Sequence, residues 1–155
     1  MIEIGMDWRS LSAGRADLVL TLSGEVVNIP TTYIGDGLGS VLQAAVDLGR
    51  GSSSAIAMLP AEPGAVCLFL AGAKTDVYLQ VVSFADMQAP ERRWTGGRLI
   101  WAGQVSVRNL LTQAALMAER VLAVYGGPES YAAAWSGMAF PTTKLEALRR
   151  MIDAM

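Results

Sequence analysis

The chain has 155 residues, of which 52% are apolar and only 17% charged, with a mean hydropathy of +0.36. That is one domain's length, with less charge than the roughly 25% usual in soluble proteins. A net charge of −2 and a pI near 5.1 argue against non-specific nucleic-acid binding, which needs a surplus of Lys and Arg to displace counterions from phosphate. The charge is uneven, with four basic and eight acidic side chains in residues 1–77 against eight and six in 78–155. The apolar surplus needs burial, so part of the surface is expected to be covered by a second copy or a partner, and the protein is expected not to be a plain monomer.

In chain order, MIEIGMDWRS lacks the basic start and apolar run of a signal peptide, and no stretch approaches the roughly 18 apolar residues of a membrane span. Cys67 is the only cysteine, so no intramolecular disulfide can form. A cytoplasmic protein with no membrane association is the expectation. No element is assigned before Asp17, and Trp8, beside Asp7 and Arg9, is a second candidate binding feature, with covering of a sheet edge the favoured alternative. Leu18, Leu20 and Leu22 alternate with Asp17, Val19 and Thr21. Ser23-Gly24 then separates them from residues 25–29, which predicts a hairpin. Leu38, Val41, Leu42, Ala45 and Leu48 recur at helical spacing and predict a helix over 36–48.

Four strands are predicted at 54–59, 66–70, 77–84 and 99–105, with connections too short for the crossovers that parallel neighbours require. From Ser106 the period becomes helical: Val107, Leu110, Leu111, Ala114, Ala118, Val121, Leu122 and Tyr125 form one stripe, ended by Gly126-Gly127. Pro128 opens a short helix through Trp135, and Thr143 with Glu146 predicts a capping box for a last helix to about Ala154. The fold expected is α+β in a single domain, 1–155. It has an antiparallel sheet of five or six strands, one inserted helix and a helical C-terminal third packed on the sheet.

Catalytic motifs are sparse. Gly35, Gly37 and Gly39 are spaced G-x-G-x-G before a helix, which is not the dinucleotide fingerprint G-x-G-x-x-G, and no G-K-[ST] exists. Asp36 at that helix start fits a cap and would oppose a phosphate. The absence of histidine rules out Ser-His-Asp and Cys-His arrangements and, with one cysteine, leaves a zinc site without ligands. Asp7, Asp36, Glu62 and Asp86 could serve carboxylate chemistry only by converging in space. Lys74 and Lys144 read as surface residues. Neither a catalytic residue nor a cofactor nor a metal ligand is assigned.

QAPERRWTGGR, residues 88–98, gathers Arg92, Arg93, Trp94 and Arg98 in a loop between two strands, and Trp with Arg is the pairing enriched at interface hot spots. These four are the candidate partner-binding residues. The alternative for Trp94 is that it folds back onto the sheet.

Several stretches together resemble a group of small bacterial α+β proteins, some associated with immunity genes of polymorphic toxin systems. They are Tyr33-Ile34-x-Asp36-x-Leu38, Glu62-Pro63-Gly64, Tyr125-Gly126, Tyr131-x-x-x-Trp135 and Phe140-Pro141. The resemblance implies a non-catalytic protein that binds and blocks another. It transfers no functional residue to a position here, and this chain departs from the group in its low charge. The expected function is a binding protein of the immunity type, acting on a toxin module or another protein. A homo-oligomeric structural or accessory domain is second, and an enzyme working through carboxylates third.

Overall fold

The computed structural model describes residues 2–73 and 75–155, so Lys74 lies outside the described residues. The first sheet is an antiparallel meander of β1 (Ile4–Ser12), β2 (Arg15–Leu22) and β3 (Glu25–Thr32). Its alternation is sharp. Ile4, Met6 and Trp8 stand opposite Leu22, Leu20 and Leu18 and are buried with them, while Arg9, Asp17 and Asn28 occupy the other face and bond to one another. β1 is not predicted from the sequence, although Ile4, Met6 and Trp8 carry the period; the signal is three residues long and runs into the mostly polar Arg9–Ser12, where the alternation breaks. Trp8 therefore lies under the sheet, not over its edge, with its ring 5.6 Å from that of Trp135.

After α1 (Gly37–Gly49) comes a second antiparallel meander: β4 (Ser54–Ala61), β5 (Gly64–Ala73), β6 (Asp76–Phe84) and β7 (Arg98–Ser106). The expectation of one sheet of five or six strands is thus corrected to two sheets, of three and four strands. Prolines account for the division. Where β3 and β4 adjoin, Pro30 and Pro60 have no N–H to donate, so the edges meet without a ladder. The Thr31 hydroxyl donates instead to the Pro60 carbonyl at 2.9 Å. At the other margin the Ile2 amide donates to the Gln104 carbonyl at 2.9 Å, which ties the start of the chain to β7.

The helices pack on the inner faces. α1 lies on β4, α2 (Val107–Tyr125) crosses β1, and Met6, Ala45, Ala57, Leu70 and Leu110 meet between them. Val107, Leu110, Leu111, Ala114, Ala118 and Val121 of the expected stripe are buried, with Leu122 packed at the margin. The Ser106 side chain caps α2 by accepting from the Asn109 amide at 3.2 Å, and Gly126 ends it in the left-handed region. α3 (Pro128–Ala134) starts on its proline as expected. The capping box predicted at Thr143 does not form. α4 (Thr142–Asp153) begins two residues earlier, capped at Pro141, which puts Thr143 inside the helix and leaves the start without a side-chain cap.

Between α2, α3 and β1 lies an aromatic cluster. Tyr131 is stacked on Trp135 at 5.7 Å and meets Tyr125 and Phe140 edge-on at 5.3 and 5.4 Å. Tyr125 links the group to the surface, accepting from Trp135 Nε1 and from Ser10 Oγ. The Tyr131 hydroxyl and Trp8 Nε1 are buried with no hydrogen-bond partner. Among the described residues no helix is long and apolar enough to cross a membrane.

Candidate partner-binding surface

The glycines ahead of α1 have local reasons. A Cβ at Gly35 would fall 2.5 Å from the Pro60 ring, and one at Gly37 would fall 3.0 Å from the Thr31 hydroxyl, so both permit the close seating of α1 at the β3–β4 junction. Asp36 Oδ1 accepts from the Gly39 amide at 2.8 Å, occupying the helix start that an anion would use. The other carboxylates named from sequence have separate duties. Asp7 faces Arg120, Asp86 organises a loop, and Glu62 stands exposed in the β4–β5 turn. Among the described residues no three Asp, Glu or Cys side chains gather as a metal site. Lys144 is not a free surface lysine: it is half-buried, and its ammonium group donates to the Gly39 carbonyl at 3.5 Å.

The connection from β6 to β7, residues 85–97, is built rather than slack. Asp86 Oδ1 accepts from the Gln88 and Ala89 amides at 3.0 and 3.1 Å, and its other oxygen lies 3.8 Å from the Arg92 guanidinium. The Ala89 and Gln88 amides, with a smaller contribution from Arg92, hold the Asp86 carboxyl below its ordinary range. Arg93 reaches back to the Gln88 carbonyl at 3.4 Å. Trp94 takes the left-handed conformation, φ 64°, and meets Phe84 edge-on at 5.6 Å. It is nevertheless 49% exposed. One side of the indole rests on the sheet, and the other is offered to solvent.

Arg92, Arg93 and Trp94 share this loop, whereas Arg98 does not join them. A β-bulge between Val81 and Val82 shifts the pairing of β7, so that Leu99 faces Val82 and Arg98 faces Ser83. Ser83 in turn pairs with Val66, on the side of the sheet opposite to Phe84. Arg98 is exposed and, among the described residues, makes no ion pair.

Two surfaces escape a reading for charged motifs. The first is the outer face of the β4–β7 sheet, where Met58, Cys67, Val82 and Leu99 form one row and Ile56, Phe69 and Gln80 the next. Its signal in the sequence is that β4 to β7 are apolar at both parities, with Asp76 and Arg98 as their only charges among the described residues. Within this layer Cys67 is fully covered, and burial pushes its thiol up to about 11. The second is a hollow of about 400 Å³ at the β3–β4 junction, rimmed by exposed Leu11, Tyr33 and Ile34 with Arg15 and Glu62. Tyr33 and Ile34 were read from sequence only as the entry to α1.

No family model, curated protein or solved structure matches this chain.

Proposed function

We propose that the protein is a non-catalytic protein-binding module that anchors a partner through the 85–97 loop and acts as an immunity-type inhibitor by covering that partner's working surface. The observation that carries this reading is the prebuilt loop, which holds Arg92, Arg93 and a half-exposed Trp94 on a frame of hydrogen bonds to Asp86 and Gln88. A loop ordered before binding avoids the entropic cost of ordering on contact. Arginine beside an indole can engage carboxylates in pairs and stack on aromatic rings. Further support comes from the absence of histidine and the local structural duties of Asp7, Asp36 and Asp86. The resemblance of Tyr33-Ile34-x-Asp36-x-Leu38 and its companion stretches to toxin-immunity proteins favours inhibition over other kinds of binding.

The test is affinity capture from the native host, comparing wild type with Trp94→Ala and Arg93→Ala. A stoichiometric foreign protein should be retained by wild type, and Trp94→Ala should weaken it by about 2 kcal/mol or more, the threshold of a hot spot. Because half of the indole is already exposed, folding stability should fall by less than the roughly 3–5 kcal/mol of a fully buried Trp. Undiminished capture by both variants would remove the loop as the anchor.

A further inference from the structure

The two sheets treat their outer faces differently. On β1–β3 that face carries Arg9, Asp17 and Asn28, joined by an ion pair and a hydrogen bond, as solvent-facing antiparallel strands do. On β4–β7 it is apolar, with Ile56, Tyr78 and Leu99 between 43% and 54% exposed and Met58, Phe69 and Val82 half-buried. We infer that a second copy of the chain covers this face, sheet against sheet, in a two-fold dimer.

Three observations select a second copy as the occupant. A two-fold brings a face onto itself, so like charges would meet; among the described residues the strands of this face carry only Asp76, at its corner, because the bulge turns Arg98 to the other side, and Asp47 of α1 lies at the β4 margin. Its inner polar group is Gln80, whose amide is both donor and acceptor and can therefore pair with its own copy across an axis, as a carboxylate or ammonium group cannot. The third is area. Four strands about 4.8 Å apart, each about seven residues long at about 3.3 Å per residue, present roughly 440 Å². Two such faces bury about 900 Å² before their rims are counted, just under the roughly 1,000 Å² of a stable specific interface and in the range of a weak, transient one. An interface of that size gives a dimer that dissociates on dilution, with its sheets about 10 Å apart as in a β-sandwich.

The inference does not depend on the loop. Tyr78 stands six residues from Phe84 along β6, about 20 Å from the Trp94 end of the face. The experiment is light scattering on the full chain from about 1 to 200 μM, a range that brackets a micromolar dissociation constant. Wild type should move from 16.4 kDa toward twice that mass. Ile56→Lys and Tyr78→Lys should stay at the monomer mass throughout with wild-type melting temperatures, since both side chains are substantially exposed. Val26→Lys, on the outer face of the other sheet, should dimerise like wild type. A wild type that stays at 16.4 kDa at the top concentration overturns the inference, and so does a dimer that survives Ile56→Lys and Tyr78→Lys.

Discussion

Replacing Tyr131 by Phe should stabilise the protein. The ring is fully buried among Trp135, Tyr125 and Phe140, and the hydroxyl at its tip has no partner. Removing that oxygen relieves a desolvation penalty of about 1–3 kcal/mol. The void left by one oxygen, roughly 15 Å³ at about 24 cal/mol per Å³, returns only about 0.4 kcal/mol. The net gain is therefore about 1–2 kcal/mol, or on the order of 2–8 °C in melting temperature for a chain of this size. Alkaline pH gives a second readout. Burial first, then the negative charge of Asp36 and the neighbouring Tyr125, push the Tyr131 phenol above its ordinary value of 10.0. The unfolded chain thus releases this proton at lower pH than the folded one. Its contribution to stability is present below pH 10 and fades as pH rises beyond it. Tyr131→Phe should lack that part of the alkaline loss. Thermal denaturation of both proteins at pH 7 and pH 10.5 measures the two effects. A lower melting temperature for the variant at pH 7 would mean that the hydroxyl is satisfied and the account of this cluster is wrong.

Three more expectations concern the junction, the buried thiol and the loop. Gly35→Ala should cost about 1–3 kcal/mol of stability in chemical denaturation, since the new methyl meets the stiff Pro60 ring at 2.5 Å. Cys67, fully covered and protonated, should fail to react with a thiol reagent at pH 8 until denaturant is added; prompt reaction would show that the outer layer of the sheet opens readily. Asp86→Ala should loosen the 85–97 loop, seen as faster amide exchange at Gln88 and Ala89 with an unchanged far-UV spectrum. In wild type the same loosening should set in as pH falls below the ordinary carboxylate value of 3.8 toward the lowered value of Asp86.

Much of the fold was legible because its signals are local. The hairpin of β2 and β3, the helix entered at Asp36 and the stripe of α2 each rest on period and capping within one element. The division into two sheets was not legible from strand patterns, since it depends on Pro30 and Pro60 meeting across about thirty residues of sequence, although each proline alone marks an edge strand. The loop of Arg92, Arg93 and Trp94 stood out by composition, but the side taken by Arg98 did not. One extra residue in β7 moves Arg98 from the row of Phe84 to that of Ser83, and such a bulge leaves no mark in the composition. In the sequence the outer apolar face shows only as an excess of hydrophobicity, because period alone cannot say which of two apolar faces the helices will cover.

The ties between β1 and α2 span 105 to 115 residues of sequence. The Ile4 amide donates to the Asn109 side chain, Arg120 donates to the Met6 carbonyl, and Ser10 bonds to Tyr125. On a ribosome adding about 5–20 residues per second, α2 emerges about 5–20 s after β1. Through that interval Met6, Trp8, Leu18 and Leu20 have been made but lack the later partners that bury them. The rate of translation, and not only the stability of the completed protein, thus sets how long these side chains are open to chaperones and aggregation.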